Sequence, residues 1–277
     1  MGYWEEIMKH IDVTRYVIET DKIQNSKGFK FVLLSDLHSN SYGIDLHYVN
    51  RIISSEKPDA VLCSGDMFNR SGKDKPQDVL NYLTTLAKHF PVFYGIGNHE
   101  YDLMRDVKTD GERFCTIRDR LSEAGVCFLE DETVYLDKDN DRIALSGVMI
   151  DSAFYSMRGA PIMGSGLMDK HLGMCDGNMY NLLIAHNPDY FNNYSDWGAD
   201  LVVSGHIHGG IIRVLGLGGL ISPKVTLFPK FDGGMYYHSD SIMLVSRGLG
   251  AHTVNFRFNN NPEVVVFRIM PKGSKRG

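Results

Sequence analysis

The chain has 277 residues, with 29 Lys+Arg against 34 Asp+Glu and a formal net charge of −5. Charged residues at 23% and hydrophobic residues at 43% describe a globular chain able to bury a substantial core, and they exclude wholesale disorder. The acidic balance excludes a broad nucleic-acid surface, and any anionic substrate needs a local positive charge that the average hides.

The first half alternates strand and helix patterns. The apolar run Lys30–Leu34 predicts a buried strand, and Leu46, Val49, Ile52 and Ile53 follow at helical spacing. Ala60–Cys63 predicts a second strand, Val79 to Leu86 a second helix, and Pro91–Tyr94 a third strand. Phe114–Leu121 reads as helix and Val126–Leu129 as strand. This rhythm implies a sheet with crossover helices. The second half changes character. Thr133–Leu136, Arg142–Val148, Leu182–Ala185, Leu201–Ser204, Ile242–Ser246 and Val264–Ile269 all read as strands, with few helix patterns between them. They are expected in a second, more antiparallel sheet packed on the first.

Residues 1–29 are expected as an extension packed on a single domain over 30–271, with a basic tail over 272–277. Residues 149–179 hold six methionines and several glycines, a pattern that suits either a substrate-facing lid or a loop pinned by its Met side chains. The Gly-rich apolar stretch Ile211–Ser222 suits either a receptor for a greasy substrate group or an edge strand with a tight loop.

No stretch approaches the roughly 20 apolar residues that span a bilayer. The N-terminal MGYWEEIMKHIDVTRY is acidic and broken by polar residues, unlike a signal peptide, and Glu6 stands where myristoylation needs Ser or Thr. Cys63, Cys115, Cys127 and Cys175 form no CxxC pair, so free thiols in a reducing cytoplasm are expected. The basic tail reads as a solvated end, with peripheral contact to an anionic membrane as the alternative.

Five short motifs carry metal-capable side chains, each beyond a predicted strand. They are Asp36-Leu-His38, Gly65-Asp66, Gly97-Asn98-His99-Glu100, His186, and Gly205-His206-Ile207-His208. In α/β sheets, sites gather beyond the carboxyl ends of strands, so Asp36, Asp66 and Asn98 should emerge at one edge. Residues i and i+2 of DxH and HxH point to the same side of an extended backbone. Imidazole, carboxylate and amide oxygen together suit Mn, Fe, Zn or Co rather than a Ca cage or a thiolate Zn site. Two such ions about 3.5–4 Å apart would clamp a phosphoryl group.

In this order, the motifs resemble the five blocks of the calcineurin-like metallophosphoesterases over about residues 30–210. HGG after the last motif, SRGLG at 246–250, and Arg257 with Asn-Pro-Glu at 261–263 resemble a bacterial branch of phosphodiesterases and lipid-linked pyrophosphatases. The resemblance implies a four-layer αββα sandwich of two mixed sheets flanked by helices. It implies two divalent metals, one held by Asp36, His38, Asp66 and His208, the other by Asp66, Asn98, His186 and His206. Asp66 would bridge them, and His99 would face the substrate rather than a metal. A water activated by the metals would attack phosphorus in line while His99 assists the leaving oxygen.

Several roles stay open. Glu100 either orients a neighbour, faces the substrate or is a surface carboxylate, and Arg70 either contacts phosphate or forms an ordinary ion pair. His171, His238 and His252 are candidates for lining the cleft. Asn69 and Ile96 depart from the protein-phosphatase pattern, and Ile211 and Val214 depart from the bacterial branch. The expected substrate is a phosphate ester, with a partly apolar lipid-linked diphosphate ahead of a nucleotide-type diester or a monoester. A metal-binding scaffold without catalysis is the alternative from another class, and His99 argues against it. A metallo-β-lactamase-like hydrolase would need HxHxDH, which the chain lacks.

Overall fold

The computed structural model describes residues 10–24, 27–70, 76–105, 111–156, 159–210, 212–214, 218–221, 229–251 and 257–274. Two six-stranded sheets pack face to face, each covered on its outer face by helices. The first sheet contains β1 (Asp12–Thr20), β2 (Phe29–Leu34), β3 (Ala60–Cys63), β4 (Val92–Gly95), β5 (Val126–Leu129) and β14 (Glu263–Pro271), in the order β1-β14-β2-β3-β4-β5. The second contains β6 (Glu132–Lys138), β7 (Asp141–Gly147), β8 (Tyr180–Ile184), β9 (Leu201–Ser204), β12 (Gly234–His238) and β13 (Ser241–Val245), in the order β12-β13-β9-β8-β7-β6. A separate hairpin pairs β10 (Ile212–Val214) with β11 (Gly218–Ile221). It falls within the apolar 211–222 stretch, of which 211, 215–217 and 222 lie outside the described residues.

Alternation along each central strand builds the layers. In β2, Phe31 and Leu33 face the second sheet, where they join Leu145, Leu182 and Val203. Val32 and Leu34 face the helices α1 (Leu46–Glu56) and α2 (Gln77–Ala87), joining Val49, Ile53, Val79 and Leu83. The helix α4 (Gly111–Glu123) adds Phe114, Ile117 and Leu121 to that layer. Beyond the second sheet, Leu183, Val202 and Met243 pack under α5 (Leu167–Leu172) and α6 (Phe191–Trp197) through Met168, Phe191 and Tyr194. The result is the αββα sandwich. Asp45 starts α1 by accepting from the backbone N–H of His47 at 3.0 Å and Tyr48 at 3.1 Å, which satisfies two otherwise orphaned donors.

The structure corrects the sequence reading of the sheets in one place. The strand expected over Val264–Ile269 belongs to the first sheet, as β14, between β1 and β2. The second sheet is the more antiparallel of the two, as expected, pairing antiparallel at both ends, β6–β7 and β12–β13, against the single pair β14–β2 in the first, while its core pairs β7–β8, β8–β9 and β9–β13 are parallel. The parallel core requires crossovers, and the short helices α5 and α6 belong to them. Met163 and Met168, from the Met-rich stretch, are buried against this layer, whereas Met174 is exposed. Among the described residues, no helix is long and apolar enough to cross a membrane.

Candidate metal centre

Every one of the five motifs reaches the same edge of the sandwich. Asp36 and His38 follow β2, Asp66 follows β3, and Asn98, His99 and Glu100 open the helix α3 (Asn98–Arg105) after β4. From the second sheet, His186 follows β8, and His206 and His208 follow β9. Asp36, His38, Asp66, His206 and His208 all have positive φ, at 52°, 50°, 53°, 73° and 56°. Non-glycine residues rarely adopt this region, and such strain concentrates at functional sites. Here it turns the chain sharply as each strand ends, so that the side chains converge.

The contacts are close. His186 Nε2 lies 3.0 Å from Asp66 Oδ2, His208 Nε2 lies 3.3 Å from Asp36 Oδ1, and the Nε2 atoms of His38 and His208 are 3.0 Å apart. Donor atoms fall into groups, each lying within 4.8 Å of one another: Asp36, His38 and His208; Asp66, His186 and His206; and His38, Asp66 and His99. Asp36 is 0% exposed and Asp66 1%. Among the described residues, no Lys or Arg forms an ion pair with either; only imidazoles face them, and two carboxylates buried together call for further positive charge. Asn98 is also buried, and its Oδ1 has no hydrogen-bond partner. Clustered imidazoles, two buried carboxylates and an unsatisfied amide oxygen are a donor set that fits divalent cations of the mixed N/O class.

Neighbouring groups hold the donors in place. Ser64 O accepts from His186 Nδ1 at 2.6 Å, which turns Nε2 toward Asp66. Burial opposes the His186 charge, but Asp66 and Asp36 outweigh it and raise its pKa to about 9. For Asp36, burial, with repulsion from Asp66, raises the pKa to about 6 against the pull of His186. Backbone N–H groups also contribute: His206 N donates to Asp36 Oδ1 at 3.1 Å, and His99 N to Asp66 Oδ1 at 2.9 Å.

Glu100 is 0% exposed. Its oxygens accept from Asp66 N at 2.8 Å, Phe68 N at 2.9 Å, Gly97 N at 3.1 Å and Tyr94 Oη at 2.8 Å. It is therefore neither a surface carboxylate nor a group that a substrate meets; it ties the loop of Asp66 to the start of α3. Burial, then the Asp66 charge, raises its pKa to about 7. The Nδ1 of His99 accepts from Arg70 N at 3.2 Å, and burial, with the charge of Arg70, lowers the basicity of its ring.

The remaining candidates scatter. The Arg70 side chain is 58% exposed and pairs with Asp102 at 2.8 Å, an ordinary ion pair at the rim. His171 Nδ1 pairs with Asp131 Oδ2 at 2.7 Å, and Asp131 lies just before β6. His238 pairs in register with Ser241, whereas Val245 pairs with Ser204 at the site edge. About 13 Å of strand therefore separates His238 from the site, which corrects its candidacy. His252 lies outside the described residues. One neighbour of the site carries no metal-ligand signature in the sequence. The ring of Tyr155 packs edge-on against His206 at 4.9 Å and lies 5.9 Å from His186, so part of the Met-rich stretch walls this side.

Comparisons with known proteins agree with this arrangement. The chain is 27% identical over 252 residues to the uncharacterized metallophosphoesterase YkoQ of Bacillus subtilis, covering 91% of this chain and 87% of that protein. It is 26% identical over 284 residues to the phosphodiesterase YaeI of Escherichia coli, covering 96% and 89%. It is 25% identical over 283 residues to the UDP-2,3-diacylglucosamine pyrophosphatase LpxG of Chlamydia trachomatis, covering 90% and 86%. The calcineurin-like phosphoesterase family profile matches residues 29–210, from the first residue of β2 through the glycines after His208. That stretch holds all five motifs and both sheet edges that present them, and the chain belongs to the calcineurin-like phosphoesterase family.

Proposed function

We propose that this metal-dependent phosphoesterase works with two divalent ions, drawn from Mn, Fe, Zn or Co, and cleaves a phosphodiester or pyrophosphate bond. Asp36, His38, Asp66 and His208 would hold one ion, and Asp66, Asn98, His186 and His206 the other, with Asp66 shared. The observation that carries this reading is the pair of buried carboxylates set among imidazoles, with no Lys or Arg ion pair to either among the described residues. Bound divalent ions supply positive charge to the phosphoryl oxygens and acidify an attacking water. They also outweigh the two carboxylates, so an acidic chain can receive an anionic ester.

The chain's own residues do the rest. The Nδ1 of His99 accepts from Arg70 N, so the neutral ring carries its proton on Nε2. Its lowered basicity keeps the ring neutral, with the Nε2–H free to donate a hydrogen bond to a departing oxygen as charge develops there. Glu100 holds the backbone of Asp66 and Gly97 so that Asp66 and His99 keep their separation. The substrate we favour is a bulky, partly apolar lipid-linked diphosphate, a reading supported by the chlamydial pyrophosphatase. A simpler phosphodiester is the second reading, supported by the Escherichia coli phosphodiesterase. The cysteines are free, which supports a reducing, cytoplasmic setting.

The test uses metal-stripped protein reloaded with Mn and assayed on bis(p-nitrophenyl) phosphate, a lipid-linked diphosphate and a nucleotide diester at equal concentration. Hydrolysis that needs added metal is expected, and EDTA should abolish it. Inactivity across several metals and ester types would overturn the reading.

A further inference from the structure

Two polar residues near the end of the chain, Arg257 and Asn260, converge on the backbone that carries Asp36 and His208. Arg257 Nη2 donates to the carbonyls of Arg247 at 2.9 Å, Gly248 at 3.2 Å and Gly250. That turn is bound in its other direction to the first motif: Leu249 N donates to Ser35 O at 3.0 Å, and Gly250 N to Asp36 O at 2.7 Å. Gly250 O also accepts from His208 Nδ1 at 3.4 Å. On the other side, Asn260 Nδ2 donates to both His208 O and Gly210 O at 2.6 Å. Asn260 is 1% exposed.

Fold stability does not explain this arrangement. Among the described residues, Arg257 Nε and Nη1 and Asn260 Oδ1 are buried without a hydrogen-bond partner. Leaving such groups buried and unsatisfied is costly. A buried guanidinium that uses one nitrogen in three is a poor device for holding a fold together, and such violations of local rules gather at functional sites. What the spent nitrogen does is specific: it gathers three carbonyls of one turn, and that turn seats Asp36 and His208. The hydrogen bonds of both residues run to backbone on the side of the centre that holds Asp36 and His208.

We infer that Arg257 and Asn260 are positioning residues for one half of the metal centre, the half built on Asp36, His38 and His208, and that neither touches substrate. This rests on the proposed metal reading and assigns a role to the C-terminal segment beyond it. A lysine at 257 keeps the charge, but its ammonium is a point charge on a flexible stem and lacks the rigid planar group that fixes Nη2 among the three carbonyls.

The experiment is calorimetric titration of Mn into the full-length, metal-stripped protein, with circular dichroism to verify folding. Wild type should bind in two events. Arg257→Lys and Asn260→Ala should each weaken one event by about 10–100-fold and leave the other unchanged, as expected when the support of a ligand is lost. The weakened event should be the one lost in His208→Ala and kept in His186→Ala. Unchanged binding in both variants, or equal weakening of both events, overturns the inference. If Asn260→Ala does not fold, Arg257→Lys and Asn260→Asp decide by the same criterion. If His208→Ala and His186→Ala both leave Mn binding intact, the metal reading itself fails, and the positioning role falls with it.

Discussion

The two ends of the sandwich are built to opposite rules. At the end away from the site, charge is handled one to one and half in solvent. Lys22 pairs with Asp200 at 2.8 Å and Lys138 with Asp59 at 2.6 Å, and these side chains retain 21–33% exposure. The inter-sheet core toward that end is filled by large rings, with Phe31 stacked on Phe267 at 5.2 Å and Tyr180 fully buried. At the site end, Asp36 and Asp66 are buried among imidazoles, and the inter-sheet contacts involve glycine. A Cβ on Gly95 of β4 would overlap Ile184 of β8, and one on Gly147 of β7 would overlap Leu129 of β5. The difference teaches where the fold tolerates cost. The far end pairs these charges cheaply at the surface, whereas the near end accepts strained backbone and buried charge to bring donors from two sheets within reach of shared ions. Neither sheet holds a complete set: the first supplies the carboxylates and the amide, and the second supplies three of the imidazoles.

This contrast can be broken from the site end. The largest effect is expected from His99→Ala, which should lower kcat by about 10²–10³-fold, the range for removing one hydrogen-bond donor to a developing negative charge. Manganese content measured on the same sample should not change. The next is Gly95→Ala, which forces a methyl group against Ile184 just below the donors. Overpacking of this kind costs about 1–3 kcal/mol, and a displacement of about 1 Å between reacting groups costs about 10²-fold in rate. Both losses should shrink in an Ile184→Ala background, which removes the Cγ2 that the new methyl group meets, so a double-mutant cycle on kcat and on unfolding free energy checks the contact. A smaller effect is expected from Glu100→Gln. The amide places a donor against backbone N–H groups that now meet a carboxylate, so Asp66 should lose its support with a loss of about 10–100-fold in metal affinity or turnover. Parallel metal titration and kinetics would show whether the loss follows binding.

Legibility in the sequence divides along the same line. Strands that are apolar on both faces, such as Ala60–Cys63 and Leu201–Ser204, read directly as runs, and the structure keeps those boundaries. Two edge strands, β1 and β12, did not read, whereas β5 and β6 at the opposite edges did. The residues of β1 alternate partly exposed charges, and β12 is only half-buried, so neither stands out from a loop. The placement of β14 is a long-range pairing, which no local pattern encodes. At the centre, the candidate ligands were legible because their chemistry is confined to few residue types at short spacing. Their supports were not. Arg257 stood out only as part of the motif shared with the bacterial branch, with no role attached; Asn260 acts through backbone carbonyls and Tyr155 through ring packing, so nothing in the identity of these two distinguishes them from ordinary loop residues.

The far end provides the control with the least effect on chemistry. Phe267 is 0% exposed, lies opposite Phe31 in the β14–β2 register and contributes to the inter-sheet core. Phe267→Ala should cost about 3–5 kcal/mol through lost burial and an unfilled cavity. It removes no donor and no hydrogen bond to the site, so kcat per folded molecule should equal wild type below the unfolding transition. Denaturation followed by fluorescence, with turnover normalised to the folded fraction, separates the two quantities. A rate loss in the folded protein as large as that of Gly95→Ala would mean that the sandwich transmits packing changes along its whole length. The glycine contacts at the site end would then have no special claim on the geometry of the centre.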